Sequence, residues 1–583
     1  MIDGSATAAR LRGLCRSLSD RAEVTIAHPL VAYGAIAALE IRVLWNIWRY
    51  ADLTPGDTSY YFVAASSWAH GLHENFVYYP LYDAFWGTIL AVVHNIYAAT
   101  IIQRIAIILA ATLLVLALMR SLFGPGLGLF IAAWWAMVPA NYAPLYEVHL
   151  FGAVPILLAA VVVARVPRRQ GLGIAVAILF ASSVLVRNEL LAAALILTVV
   201  IIVYERRGRW IRPLATSYLR AYGVPLAIAA LLVGGAYAQS YVQGNQAWQL
   251  LQAKEEANFC NDYAASFQEH HPSQFVGNPF TQCSPLMQQT FGRPMPTLFQ
   301  GLAANPRAVA GFAAWNASLI PDGLQVSLLG ATSFGDDPGF QPVIENSTYA
   351  LLLSVLLFGV VAAALSVAIR EGELSVRRAQ PQAVWTSIVL TSIAAASLII
   401  ALTTRPWTEY IYGLSICAFV LIAWALSVLV RHLRLTRMLA PAGLVLVLAL
   451  IVASSSHYGP APRPIYDAVQ RLRVVQRRLQ RQDSVLVASA NYDEICNYLA
   501  RDDRHVCTAT YWPALRTQVS ATTSVRQVLD RIHATAIYAT ADMLADPILA
   551  HLVAAPRTQG WRQIAAGIGD GGSWRVLVRA RRS

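Results

Sequence analysis

Lysine is almost missing from this sequence. Of 44 basic residues only Lys254 is lysine, so arginine carries nearly all the positive charge. Charge of either sign is scarce: 13% Asp, Glu, Lys and Arg, against roughly 25% in ordinary soluble domains. That scarcity excludes a large water-soluble globule. The net charge of +12 does not make a nucleic-acid binder either, because the arginines sit in short clusters between apolar runs. Three motifs are also missing: a GxxxxGK[ST] phosphate loop, an HExxH pair and a GxSxG elbow. ATP-driven transport, zincin chemistry and α/β-hydrolase chemistry therefore find no support. The six cysteines do not have the spacing of a zinc site.

What is abundant is apolar sequence. The 583 residues are 57% hydrophobic with a mean hydropathy of +0.50, which defines a multi-span membrane protein in contact with a lipid bilayer. Arg10, Arg12, Arg16 and Arg21 precede an apolar run from His28 to Trp48. That run is too long for a signal-peptide core and no small-residue cleavage site follows it, so we read an uncleaved first helix with its N-terminus inside.

The spans fall near 28–49, 98–119, 125–142, 150–165, 171–187, 189–204, 222–241, 348–369, 384–403, 409–430 and 439–457. Arginine-bearing connections alternate along them: Arg120; Arg165, Arg168 and Arg169; Arg206, Arg207, Arg209 and Arg212; Arg370, Arg377 and Arg378; Arg431, Arg434 and Arg437. With the N-terminus cytoplasmic, the positive-inside rule puts all of these in the cytoplasm. About eleven spans is an odd number, which leaves the C-terminus outside. Leu81–His94 is apolar but short and contains Asp83. Counting it as a span would move Arg120 and the later clusters outside, so it reads as an interfacial helix, with a short spanning helix as the alternative.

The expected organisation is a polytopic helical membrane domain over 1–457, including outer loops 51–97 and 242–347, followed by a soluble domain over 458–583. The outer loop at 242–347 is rich in Pro, Gly, Asn and Gln. In the C-terminal segment, β-type runs (484–489, 505–511, 534–540, 561–568, 574–578) alternate with helical patterns at 492–501 and 524–532, which predicts a small α/β domain. Cys260 and Cys283 share the first soluble part, and Cys496 and Cys507 share the second. Two pairs, each within one outer segment, are what an oxidising compartment permits.

Ionisable groups at span ends are functional candidates by default. Asp52 and Asp57 follow the first span; Tyr142, Tyr146, Glu147 and His149 follow the third. Arg187 and Glu189 lie in the turn VLVRNELL, and Arg405 and Glu409 in TTRPWTEYIYG. The predicted topology puts all of these turns on the outer side.

These stretches resemble the GT-C superfamily of polytopic glycosyltransferases, which includes protein O-mannosyltransferases and lipid A aminoarabinose transferases. GDTSYYFVAASSWAHG followed by YYPLYDAFWGTIL is similar to that family's first outer loop, where an acid precedes a Tyr/Ala-rich juxtamembrane helix. Gln103–Gly152 looks like the helix, Arg-x-Leu-Phe-Gly turn, helix and Pro that lead to a second outer acid, here Glu147. VLVRNELLAAAL is similar to the family's Arg-Pro-Glu turn, with Asn188 in place of Pro, and TRPWTEYIYGLSICAFVLIAWAL resembles its late Arg-Tyr segment.

The resemblance implies a mainly α, GT-C-like fold in a bacterial inner or plasma membrane, with the C-terminal domain periplasmic or extracellular. It implies inverting transfer from a polyprenyl-phosphate sugar donor to a hydroxyl on a glycan, glycolipid or protein acceptor. By matched position Asp57 is the general base, and Glu147 is a second acid that orients the acceptor or helps hold a metal. Arg187 and Arg405 bind phosphate, Glu189 belongs with them at the substrate site, Tyr60 and Tyr61 line the sugar site, and His149 bonds acceptor or phosphate. Paired acids in the first loop mark some members, whereas position 58 here is Thr; a divalent cation stays open as cofactor, with no metal ligand assigned.

Plainer readings stand beside these. Asp57 is also a good helix N-cap, Glu147 and His149 suit a wet interface, and Arg187–Glu189 and Arg405–Glu409 suit ion pairs that close turns. Glu40 and Arg42 lie two apart inside the first span, so each needs its own partner in the bundle. An amphipathic-lipid transporter or a non-catalytic membrane scaffold are the competing functions. The first is disfavoured by the lack of internal repeats and the one-sided clustering of charge.

Overall fold

A computed structural model describes residues 24–458 apart from 50–56, 70, 72–79, 94–95, 143–146, 207–217, 243–246, 334–346 and 373–380. Beyond 458 it describes 475, 477–479, 483–487, 507–509, 519, 524–539, 541–547, 549, 552, 555–569 and 572–580. The chain divides into two compact units. One comprises 1–43, 75–80 and 106–457; the other comprises 44–74, 81–105 and 458–583. The grouping of 44–74 and 81–105 with the C-terminal residues was not expected from sequence.

In the first unit, every expected span contains a helix. These are α1 (Pro29–Val43), α4 (Ile96–Phe123), α5 (Pro125–Met137), α6 (Glu147–Arg165), α7 (Arg168–Leu185), α8 (Leu190–Arg206) and α9 (Val224–Val242, entered through a π turn at Leu219–Gly223). After a long polar insertion come α14 (Ser347–Arg370), α15 (Pro381–Thr403), α16 (Tyr412–His432) and α17 (Thr436–Ala453). The first residues of α4 belong to the second unit. Among the described residues, six helices are long and apolar enough to cross a membrane, while α5, α6, α8 and α17 are apolar but shorter. Punctuation explains part of the difference: Gly124 (φ 87°) and Pro125 cut α4 from α5, and the 3-10 turn at Pro139–Tyr142 ends the next span early. By sequence and helix content the chain is a predominantly helical, polytopic membrane protein.

Two arginines of the alternate connections, Arg120 and Arg165, lie at one end of this bundle. Arg120 donates to the Ile26 and Ala27 carbonyls at 2.8 and 3.0 Å, and Arg165 donates to Ser121 Oγ at 2.9 Å. The Arg120 bonds satisfy carbonyls just before α1, and the Arg165 bond ties the end of α4 to the end of α6.

The insertion read as an outer loop folds into helices: α10 (Ala247–His270), a single turn at Pro279–Gln282, α11 (Ser284–Phe291), α12 (Leu298–Ala304) and α13 (Pro306–Leu329). They have their own core of Phe259, Tyr263, Met287, Phe291 and Phe312, with the Cys260–Cys283 disulfide inside it. Thr297 and Gln300 form a reciprocal capping box that starts α12. α13 passes across the ends of two bundle helices: Trp134 of α5 donates to the Leu328 carbonyl at 2.7 Å, and Asn316 donates to the Leu402 carbonyl of α15 at 3.3 Å. Asn316 is 1% exposed, so its glycosylation sequon is closed to modification in the folded chain.

The second unit contains α2 (Asp57–Ala69), α3 (Pro80–Val93) and a five-stranded sheet of order β2-β1-β3-β5-β4. β1 (Val485–Val487) runs parallel to β2 (Cys507–Ala509) and β3 (Ala536–Ala539); β5 (Gly572–Arg579) pairs antiparallel with β3 and with β4 (Trp561–Gly569). All five β-type runs of the sequence supply a strand. Ser524 and Gln527 form the capping box that starts α18 (Val525–Arg531). Leu486, Ile537 and Leu577 face one core layer, while Val485, Val487, Tyr538 and Val576 face the other. The expected helix at 492–501 and Cys496 lie outside the described residues, as does the side chain of Cys507. α2 and α3 cross closely, because a Cβ at Gly87 would stand 2.5 Å from the Ala65 carbonyl oxygen.

Candidate functional site

Three connections, α5–α6, α8 to its predecessor α7, and α15–α16, come together at the bundle end opposite Arg120 and Arg165. Arg187 joins them. Its backbone closes the last turn of α7 onto the Ser182 carbonyl at 2.8 Å, which turns the side chain inward. The guanidinium then meets Glu189 through Nε, donates from Nη1 to the Glu409 carbonyl at 2.8 Å, and lies 3.4 Å from His149 Nδ1. It also stacks over the Tyr410 ring, 4.9 Å from the centroid. Gly152 makes room for it one turn along α6: a Cβ there would stand 2.6 Å from Arg187 Cδ.

The arrangement is nearly dry. Arg187 is 5% exposed, His149 8% and Glu409 5%. A buried guanidinium is tolerable only when its donors and charge are answered, and here one carboxylate, one carbonyl, a ring nitrogen and a π face answer them. His149 Nε2 lies 4.0 Å from Glu409 Oε1, so the imidazole sits between a cation and an anion.

Arg405 differs from expectation in its partner. It pairs with Glu269 near the C-terminus of α10, a residue the sequence reading did not single out. The backbone of that turn is set by Thr404 N to Ile400 O and Trp407 N to Arg405 O, both 2.8 Å. Asp262, two turns back on α10, is partly buried; that burial pushes its carboxyl up to about 7, against the pull of the Arg405 charge.

Other expected residues lie elsewhere or beyond description. Asp57 is the first residue of α2 and Tyr60 lies in the same helix, in the second compact unit; their side chains lie outside the described residues. Tyr61 is 1% exposed and packs edge-on against Tyr82, with ring centroids 5.7 Å apart. Glu147 opens α6, and its side chain too lies outside the described residues. Among the described residues, no three His, Cys, Asp or Glu side chains are grouped to hold a metal ion.

A second polar knot lies within the first unit. Glu40, fully buried in α1, accepts a hydrogen bond from Thr112 Oγ1 of α4 and contacts Tyr142 Oη at 2.7 Å. Tyr142 Oη is also 2.6 Å from the Ala136 carbonyl, and its ring stacks on His457 at 4.2 Å. One hydroxyl proton cannot serve two acceptors at these distances. A proton on Glu40 resolves the count: the carboxylic acid donates to Tyr142, and Tyr142 donates to Ala136.

No protein-family model matches the chain, and neither does any curated protein sequence. Solved structures with a related arrangement include the oligosaccharyltransferase of Archaeoglobus fulgidus in its apo form, at 15% identity and a TM-score of 0.41 over 88% of this chain and 70% of that one. The same archaeal enzyme, AglB, in complex with an inhibitory peptide and a dolichol-phosphate matches at 14% identity and a TM-score of 0.39, covering 94% and 74%. A form tethered to an acceptor peptide containing the NVT sequon matches at 14% and 0.37, covering 95% and 74%.

Proposed function

We propose that this protein is a membrane glycosyltransferase that moves a sugar from a polyprenyl-phosphate donor to an acceptor hydroxyl, with inversion at C1, on the outer face of the membrane. One observation supports the reading most. Arg187 binds together three connections that are far apart in sequence, and Arg405 stands on one of them. A polar, arginine-centred end on an otherwise apolar bundle suits an anionic lipid headgroup whose tail stays in the bilayer. The GT-C-like order of the motifs around those turns points the same way.

In the proposed reaction Asp57 accepts the acceptor hydroxyl proton while that oxygen bonds to C1. The bond from C1 to the phosphate oxygen breaks, and its electron pair leaves with the polyprenyl phosphate. Arg405 stabilises that growing negative charge through charge-assisted hydrogen bonds. Arg187 acts differently, by holding the three connections in register. Glu147 and Tyr60 orient the acceptor and the sugar. The N-terminus is cytoplasmic and the C-terminal domain lies outside.

The test uses the purified full chain in lipid nanodiscs with a panel of synthetic polyprenyl-phosphate monosaccharides. Free polyprenyl phosphate released in the presence of acceptor extract is followed by mass spectrometry. Wild type releases it and Asp57→Asn releases at least 100-fold less at an unchanged melting temperature, the upper range of a lost general base being about 10⁴. Release by Asp57→Asn at the wild-type rate would remove the base assignment, and no release by wild type from any donor would remove the reading.

A further inference from the structure

The end of the bundle away from Arg187 carries a second arginine cluster, which the proposed transfer reaction does not use. α7 is 18 residues long, so its ends stand about 27 Å apart, close to the roughly 30 Å of a bilayer's hydrocarbon. Arg187 follows one end of it; Arg168 and Arg169 open the other, at the opposite lipid–water boundary. α8 and α9 both pack on α7. At this boundary they are also bridged to each other: Tyr218, just before the π turn that enters α9, donates from Oη to Glu205 Oε2 of α8 at 3.0 Å. Gly173 of α7 seats that π turn, since a Cβ there would stand 1.8 Å from the Ala221 carbonyl oxygen.

Both arginines converge on Glu205, but they are held differently. Arg168 Nη2 donates to Glu205 Oε1 at 2.8 Å, and its guanidinium lies 4.8 Å from the Tyr204 ring centroid and 5.4 Å from that of Trp385 on α15. Arg169 stacks over the Tyr218 ring at 4.5 Å and donates from Nη2 to Tyr218 Oη at 3.0 Å. Its approach to Glu205 is 3.6 Å, too long for a hydrogen bond. Its Nε and Nη1 donate to no described residue, and 46% of its side chain is exposed. One carboxylate thus faces two guanidinium groups, and the cation left over is Arg169. Stacking on Tyr218 holds that cation in place, which reduces the ordering cost when an anion binds it. Toward the membrane the surface beside the cluster turns apolar: Val199, Ile202 and Val203 on α8 are exposed, as are Val224 and Ile228 on α9.

We propose that this cluster is a binding site for an anionic phospholipid. The phosphate of a lipid with a net negative headgroup lies against Arg169 and cancels the excess charge, while its acyl chains run along the exposed aliphatic side chains of α8 and α9. A lipid suits the site better than a soluble anion because the spare cation and the apolar surface adjoin. The headgroup also ties the start of α9 to α7 and α8. That tie matters because α9 turns most of its surface outward and packs chiefly on α7. The site stands apart from the glycosyltransferase reading, and its ligand is a neighbour in the bilayer rather than a substrate.

The test is native mass spectrometry of the full chain in detergent micelles, titrated with dioleoyl phosphatidylglycerol; dioleoyl phosphatidylcholine carries the same chains without net charge. Wild type is expected to bind its first phosphatidylglycerol about 5- to 10-fold more tightly than phosphatidylcholine. Arg169→Gln is expected to weaken phosphatidylglycerol binding about 10-fold, the range of a charge-assisted hydrogen bond, and to leave phosphatidylcholine unchanged. Arg169→Lys keeps the charge and retains most of the preference. Glu205→Gln leaves two cations uncompensated and is expected to bind phosphatidylglycerol more tightly, a gain that a bracket serving only to brace the helices does not produce. Arg370→Gln, at an exposed arginine ending α14, controls for the general attraction of anionic lipid to a basic surface and is expected to change nothing. Unchanged phosphatidylglycerol binding by Arg169→Gln, or an equal loss with Arg370→Gln, overturns the proposal. Displacement of the bound lipid by an equal concentration of glycerophosphoglycerol, the same headgroup without chains, identifies a soluble-anion site and overturns the lipid assignment.

Discussion

Gly152 offers the sharpest test of the Arg187 knot because the perturbation is a single methyl group. A Cβ at that position would lie 2.6 Å from Arg187 Cδ and 3.3 Å from Cγ. Carbon atoms in ordinary contact are about 3.5–4.0 Å apart, so Gly152→Ala must move the arginine stem by roughly 1 Å. The stem has little freedom: its guanidinium is committed to Glu189, to the Glu409 carbonyl at 2.8 Å and to the Tyr410 face. Overpacking of this kind costs about 1–3 kcal/mol, and a misplacement of about 1 Å near a reacting centre costs on the order of 100-fold in rate. A double-mutant cycle on thermal stability in detergent isolates the cause. In an Arg187→Ala background the clashing atoms are gone, and Gly152→Ala should then cost close to nothing, leaving a coupling energy of about 1–3 kcal/mol. An equal cost in both backgrounds would mean that the methyl disturbs something other than Arg187. Wild-type transfer by Gly152→Ala would mean that the knot does not position the site.

Two other expectations follow from buried acids. Glu40→Gln keeps an acceptor for Thr112 and a donor for Tyr142 and orphans one N–H, so it should destabilise by only about 1–3 kcal/mol; a large stabilisation, read by the same melting assay, would show instead that Glu40 is an unanswered carboxylate. Asp262 has a folded-state pKa of about 7, above the unfolded value, so its contribution to stability is complete below about pH 4 and is lost as pH rises through 7. The difference between wild-type and Asp262→Asn melting temperatures should therefore fall across that window, and a difference that is flat with pH refutes the assignment.

Legibility followed the range of the interactions. Apolar runs and period-two strands are local signals, and each expected span or strand contains an element of the expected type. The polar turns at Arg187 and Arg405 were visible because charge is rare in such sequence. Partners were not visible: Arg405 reaches a residue 136 positions away, and Glu40 finds its partners 72 and 102 positions on. The helices of 247–329 were missed for a different reason. Their core is a few aromatic side chains closed by one disulfide, and α10, the first of them, is too polar on average to mark itself as buried on one side.

The separation between Glu40 and its partners has a consequence for how the protein is made. α1 is the first described helix to leave the ribosome, and it enters the membrane with an acid in its interior. Thr112 and Tyr142 are not yet synthesised at that moment. At about 5–20 residues per second, the 102 residues to Tyr142 take on the order of 5–20 s. During that interval Glu40 lacks both of these partners, so the insertion machinery, water or its own helix backbone has to answer the carboxyl group. α1 thus acquires both Glu40 partners only after α5 and the turn beyond it have emerged, and truncation before Tyr142 should leave Glu40 without that contact.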